Sequence, residues 1–413
     1  MLKIIDSSLG RFYHPVLHRF RTFKESKKNQ SELKRRISQN QILAEASGRK
    51  PRIYVDVTDV FLSDKGTGIQ RVAKEISRNL KEISANYDVV DVYCKGAAYS
   101  DCGTKREISL QKGDIFFILD QSIQNICNNF LLFQHLMQNG VRVVSFFHDL
   151  IPVTQPQFCH PDYAKDFRRF LKEVLFLSQI ICNSESTANE LKDYLAKNPQ
   201  VKRNSALKIS YSLLGCDFSA KGGKVSPLCM GENKGKPHSP AFLMVSTVEP
   251  RKMYAQAVGA FTMLWEKGVE AQLWIVGRPG WRNEKTISLI ENHTENGIRL
   301  FWYKNGISDE ELASLYKKCD AVLFASIAEG FGLAVAEGAH FKKPLILRDI
   351  PVFREIAGEN AFYFTGEDSQ SLAAKIEEWL SLYQKGTEPK SEKITLPTWR
   401  QCSQRVLELL EAS

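Results

Sequence analysis

With 413 residues, 43% of them apolar and 25% charged, the chain is too long for one compact core and reads as a soluble protein of two domains. It has no apolar run of membrane-spanning length and no signal-peptide core near its start, and its nine cysteines form no C-x-x-C pair, so the expected setting is the reducing cytoplasm. The net charge of +9 lies within residues 1–52, and the rest of the chain is neutral.

Residues 1–50 read as a basic N-terminal arm in which Leu17, Phe20, Phe23, Leu33 and Ile37 interleave with Arg19, Arg21, Lys24, Lys27, Lys28, Lys34, Arg35 and Arg36. Such a segment suits the anionic inner face of a membrane, and equally a solvated tail. No nucleic-acid partner is expected, because no binding motif accompanies the charge. From Arg52 the pattern changes. RIYVDVTDVF is a β-branched, alternating run, followed by the glycine loop LSDKGTGIQ and a helical stretch with Val72, Ile76, Leu80 and Ile83 on one face. Further strand-like runs follow, DVVDVYC, DIFFILD, VRVVSFF and QIIC, the last leading through Ser184, a plausible N-cap, into a helix. Residues 51–222 thus form one domain of alternating strands and helices.

Residues 223–240 are rich in Gly, Lys, Ser and Pro and read as a linker. A second alternating set occupies 241–394, with strands AFLMV, AQLWIVG, IRLFWY, AVLFAS and PLIL. Residues 395–413 end in an amphipathic helix with Trp399 as its anchor. Two such sheets facing each other leave a cleft, and ligands in parallel sheets sit beyond the carboxyl ends of the strands.

The stretch IAEGFGLAVAEGAHF holds two carboxylates, Glu329 and Glu337, around a Gly-Phe-Gly turn. Glu329 belongs to the strand-to-helix loop and Glu337 to the helix, so both can face one cleft. Glycines admit close backbone approach, and a helix N-terminus favours an anion. Ionised carboxylates accept hydrogen bonds from vicinal diols. Phosphate together with diols suggests a sugar nucleotide. Taken alone, Glu329 as a turn cap and Glu337 as a solvated helix residue account for the stretch equally well.

This stretch resembles the C-terminal signature of the retaining GT-B glycosyltransferases of family 4, whose E-x7-E motif is met by Glu329 and Glu337. The likeness extends through VSTVEPRKM, AQLWIVGRPGW, GTGIQRVAKEI, FFHDLIP and ICNSESTANEL, covering residues from about 50 to 413. It implies an α/β GT-B architecture, two Rossmann-like domains facing across a cleft. Glu337 would hold the ribose hydroxyls and Glu329 the donor sugar. The N–H groups of Phe331, Gly332 and Leu333 would lie near the diphosphate. Arg251 and Lys252 resemble the cationic pair that neutralises the departing diphosphate, Gly66 and Gly68 the loop that closes over it, and His148 the cleft histidine beside the donor sugar. The sequence departs from many relatives at Ser246 and Ala334, where arginine and proline are common.

The resemblance implies sugar transfer with retention, of mannose or rhamnose, from a nucleotide diphosphate sugar to a glycan or lipid-linked saccharide in bacterial surface polysaccharide synthesis, with a lean towards a GDP-mannose-type donor. No cofactor and no metal are expected, and the donor is itself a substrate. Two other readings stand beside it, a sugar-nucleotide epimerase of similar architecture and a non-catalytic scaffold.

Overall fold

The computed structural model describes residues 15–44, 48–217 and 239–412, with side chains from residue 27 onward. The linker read at 223–240 therefore lies almost wholly outside the described residues.

Seven strands form the first sheet: β1 (Arg52–Asp56), β2 (Asp88–Lys95), β3 (Ala98–Asp101), β4 (Ile115–Ile118), β5 (Arg142–Phe147), β6 (Gln179–Cys182) and β7 (Lys208–Tyr211). Their spatial order is β3-β2-β1-β4-β5-β6-β7. All neighbours are parallel except β2 and β3, which form an antiparallel edge. Strand β4, Ile-Phe-Phe-Ile, is buried along its whole length, as a central parallel strand covered by helices on both faces must be.

The second sheet has six strands: β8 (Ala241–Val245), β9 (Gln272–Val276), β10 (Leu300–Tyr303), β11 (Ala321–Phe324), β12 (Leu345–Arg348) and β13 (Phe362–Phe364). The order is β10-β9-β8-β11-β12-β13, parallel throughout. In each sheet the winding reverses beside the first strand, between β1 and β4 and between β8 and β11, and such switch points open a crevice for ligand.

The N-terminal segment differs from the expected free arm. A helix covers Pro15–Ser38, and its C-terminal half is built into the first domain. Leu33 and Ile42 are buried in the core that holds Phe133 and Leu136. The Ala44 N–H donates to Leu110 O at 2.7 Å. Arg36 pairs with Glu107 and donates to Ala97 O at 3.3 Å. Leu33 and Ile37, four residues apart, make the apolar stripe that anchors this half despite its surrounding charge. Among the described residues no helix is long and apolar enough to cross a membrane.

The last helix, Trp399–Glu411, starts with a Thr398/Gln401 capping box. Its buried face, Trp399, Cys402, Val406, Leu407 and Leu410, shares one core with Val72, Ile76 and Leu80 of the helix Gly68–Ile83 in the first domain. The segment after β7 runs under it. Cys216 N–H donates to Pro397 O at 3.2 Å, and Trp399 N–H donates to Asp217 Oδ1 at 2.5 Å. Gly215 permits this approach, since a Cβ there would lie 2.4 Å from the Trp399 backbone nitrogen. Gly215→Ala is expected to lift the helix and lower stability by about 2–3 kcal/mol, read as a shift of the urea midpoint.

Candidate active site

Five loops at the carboxyl ends of the strands build the site: those after β1, β5, β6, β8 and β11. After β8, Pro250–Lys252 forms a single 3-10 turn, closed by Met253 in the left-handed region at φ 56°. This turn aims both cations of the EPRKM stretch at the loop after β11. Arg251 Nη1 donates to Glu329 Oε2 at 2.9 Å and to Ala328 O at 2.9 Å. Lys252 Nζ pairs with the other oxygen, Glu329 Oε1. Arg251 Nε also lies 3.4 Å from Glu249 Oε2. Only 8% of the Glu329 side chain is exposed. Burial works against its charge, but Lys252 and Arg251 outweigh that and hold the carboxyl at about 2. Burial also lowers Lys252, with the charge of Arg251 acting the same way.

Glu337 lies in the helix Leu333–His340 and is buried. Arg71, from the first domain, pairs with one of its oxygens, and the Tyr316 hydroxyl donates to the other at 2.9 Å. Burial raises its carboxyl above the usual range, and Arg71 and Tyr316 only partly offset this. Gly332, at φ 92°, precedes the helix with no side-chain cap. The N–H groups of Phe331, Gly332 and Leu333 make no hydrogen bond among the described residues, as expected of an uncapped helix start. The loop after β1 reaches the same place. Gly66 has φ +66°, and Gly68 opens its helix with a Thr67/Gln70 capping box. A Cβ on Gly68 would sit 3.4 Å from Leu333 Cδ1.

His148 follows β5 directly and is 4% exposed. Its Nε2 has no partner among the described residues. Burial pushes the imidazole down to about 4, against a hydrogen bond to the Leu119 backbone, so it is neutral near pH 7. Asp149 accepts the Ile151 N–H at 3.1 Å, and burial raises its carboxyl. The Glu329 loop lies directly on this pair, because a Cβ on Gly330 would meet His148 O at 1.9 Å. Ser184 and Thr187 donate their hydroxyls to Gly330 O at 2.7 and 2.9 Å. Glu355 accepts the Glu185 and Ser186 N–H groups at 2.7 and 2.8 Å, which caps that helix from the opposite domain.

The structure therefore brings His148, Arg251, Lys252, Glu329, Glu337, Gly66, Gly68, Phe331, Gly332 and Leu333 around one cleft. Sequence reasoning passed over Arg71, Tyr316, Thr187 and Glu355, and read Ser184 only as an N-cap, not as a partner of Gly330 O. Arg71 stands one turn after Gly68, which was the available signal. The others reach the cleft through packing between sheets, which no local pattern records.

Residues 231–394 match the sequence model of the glycosyl transferases group 1 family. That segment, which holds the second sheet, carries the family's pattern, and the two facing sheets have the GT-B glycosyltransferase architecture. It is 34% identical over 380 residues to an Escherichia coli serotype-specific mannosyltransferase, WbdA, covering 87% of this chain and 46% of that protein. It thus spans a little under half the length of the WbdA proteins it matches. An O-antigen chain mannosyltransferase B from E. coli is 28% identical over 136 residues, 32% of this chain and 35% of that protein. Among solved structures, Anabaena HepE in complex with UDP-glucose gives a TM-score of 0.62 at 16% identity, covering 88% of this chain and 100% of that one. A sucrose-phosphate synthase from Thermosynechococcus elongatus gives 0.60 at 15% identity, with coverage of 88% and 100%.

The buried neutral His148 makes stability depend on pH. Its folded pKa of about 4 lies below the unfolded value near 6.5, so its contribution is complete above pH 6.5 and is lost as pH falls toward 4. His148→Gln is expected to flatten the fall in melting temperature across that window. The Glu329 contribution is lost only lower, between the ordinary carboxylate range and about 2.

Proposed function

We propose that the chain is a retaining glycosyltransferase that moves mannose from a nucleotide diphosphate sugar, of GDP-mannose type, to a glycan or lipid-linked glycan acceptor of bacterial surface polysaccharide. The observation that carries this reading is the buried arrangement of Arg251 and Lys252 on Glu329, beside free helix-start N–H groups that lie about one helical turn before Glu337. Similarity to proteins named as mannosyltransferases supports the sugar, and the share of their length covered leaves the whole activity a proposal.

The demanding event is departure of a diphosphate that gains negative charge. Arg251 and Lys252, held in place by Glu329, need no reorganisation to meet that charge, and the N–H groups of Phe331 to Leu333 add fixed dipoles. Gly66 and Gly68 close from the other domain. Glu337 accepts from the ribose hydroxyls once Arg71 leaves it. The acceptor oxygen bonds to the anomeric carbon on the leaving-group face while the carbon–phosphate-oxygen bond breaks, and the acceptor proton passes to the released phosphate oxygen. Neutral His148, with Nε2 free to meet a sugar hydroxyl, positions the donor. The basic segment around Arg19, Arg21 and Lys24 lets the enzyme rest on an anionic membrane where lipid-linked acceptors lie.

Three measurements test this. A single nucleotide among GDP, UDP, dTDP and ADP is expected to raise the melting temperature, and Glu337→Ala to abolish the shift; no shift with any of the four at millimolar concentration would sink the donor site. Lys252→Ala is expected to lower kcat by about 10²–10³-fold with little change in donor KM; unchanged turnover would remove Lys252 from the mechanism. Replacing Arg19, Arg21 and Lys24 by glutamate is expected to reduce cosedimentation with anionic vesicles, and undiminished cosedimentation would leave the segment without that role.

A further inference from the structure

Beside the site, on the rim where the domains meet, two large aromatic side chains are left open to solvent. Trp281, in the loop after β9, is 44% exposed, and Tyr163, in the helix Pro161–Val174 of the other domain, is 41% exposed. Their ring centroids are 6.3 Å apart with planes inclined by 33°. The rings are fixed in place although they are exposed. The Trp281 indole N–H donates across the domain boundary to Phe158 O at 3.2 Å. Arg282 holds φ +51°, a costly conformation for a non-glycine residue, and donates to Gln157 O at 3.2 Å and Cys159 O at 2.9 Å. Hydrogen bonds from both residues thus hold the loop against the first domain.

Next to these rings lies a cavity of about 480 Å³ lined by Pro250, Arg282, Asn283, Glu284, Lys285 and Thr286. Pro250 is the residue before Arg251, so the cavity adjoins the proposed reaction centre. Asn283 occupies the N-cap position of the helix Glu284–Glu291 and makes no capping bond. It is only 4% exposed, and its Nδ2 has no partner among the described residues. A buried amide without a partner is a costly arrangement in a finished core and suits a site that a ligand completes.

We infer that Trp281, Tyr163 and the Asn283 cavity form a saccharide-binding subsite for the acceptor glycan, one or more sugar units away from the hydroxyl that reacts. The chemistry fits a neutral polyol. Flat aromatic faces match the apolar C–H faces of a pyranose ring, and exposed Trp and Tyr commonly anchor binding surfaces. The cavity offers amide, hydroxyl, carboxylate and cationic groups to ring hydroxyls without one dominant charge. Its place follows from the topology. The helix carrying Tyr163 comes shortly after His148 and Asp149, and the loop carrying Trp281 runs along Val248, so a chain leaving the reaction centre passes over the paired rings. Arg282 and Trp281 bond to the segment 157–159, so this subsite assembles when the domains close. The assignment rests on the transferase reading for its acceptor, but its test does not need transfer to occur.

Full-length protein without donor would be titrated with methyl α-mannoside and with an α-linked mannotetraose, followed by saturation-transfer NMR and tryptophan fluorescence. The tetraose is expected to bind more tightly than the monosaccharide. Trp281→Ala and Tyr163→Ala are each expected to weaken the tetraose about tenfold, and Asn283→Ala to weaken it less. Tyr211→Ala, at an exposed aromatic on β7, is the control and should match the parent. The melting shift with the preferred nucleotide, retained in every variant, shows that fold and donor site are intact. Tetraose binding that ignores Trp281 and Tyr163, or no tetraose binding by a parent that binds nucleotide, overturns the subsite. Tetraose binding that tracks Trp281 in a protein that binds no nucleotide supports the subsite and instead defeats the transferase reading.

Discussion

The structure turns on one buried carboxylate. Glu329 sits between Arg251 and Lys252 with 8% of its side chain exposed, and a charge so placed has to be compensated on the spot. The compensation fixes the turn after β8 against the loop after β11, across the point where the second sheet reverses its winding. It also holds two cations together that would otherwise repel each other at the carboxyl ends of the strands. Glu329 is thus a scaffold for positive charge, whatever it contacts in a ligand complex. Removing it would leave two crowded cations with reduced compensation, which is why its effect on function cannot be separated from its effect on local order.

A second constraint joins the domains. Gly330 lies on the His148 carbonyl, and the first domain's Ser184 and Thr187 hydroxyls bond to Gly330 O. The loop that carries Glu329 is therefore shaped by both halves of the chain. Arg71 on Glu337 adds an ion pair across the same boundary, with Tyr316 completing the carboxylate. In the proposed donor complex the ribose hydroxyls would compete with Arg71 for this carboxylate, which would link nucleotide entry to domain separation.

Much of this was legible in the chain. The alternation of β-branched runs with amphipathic helices announces two parallel sheets, and the Gly-Phe-Gly turn between Glu329 and Glu337 announces the strand-to-helix loop that precedes the helix Leu333–His340. Ser184 is the N-cap that its position suggests, accepting the Thr187 N–H at 3.0 Å. Short edge strands such as β3 and β13 were not legible, because three or four residues carry no measurable period. The basic segment misled for a different reason. Leu33 and Ile37 stand out among its charges, but two apolar residues make too short a stripe to announce a buried face, and only the opposing helix reveals them as core. Arg71, Tyr316 and Glu355 were invisible because their partners are far away in sequence.

The chain crosses between its domains near residue 217 and again near residue 397, and the crossings are bonded to each other through Cys216, Pro397, Asp217 and Trp399. Two connections clasped side by side behave as the pin of a door hinge. They permit rotation about their common line and resist sliding and twisting. The swing is then widest at the edge farthest from Gly215. Any opening of the crevice would then face away from Gly215, so where the backbone was stitched together would set the direction in which the domains part.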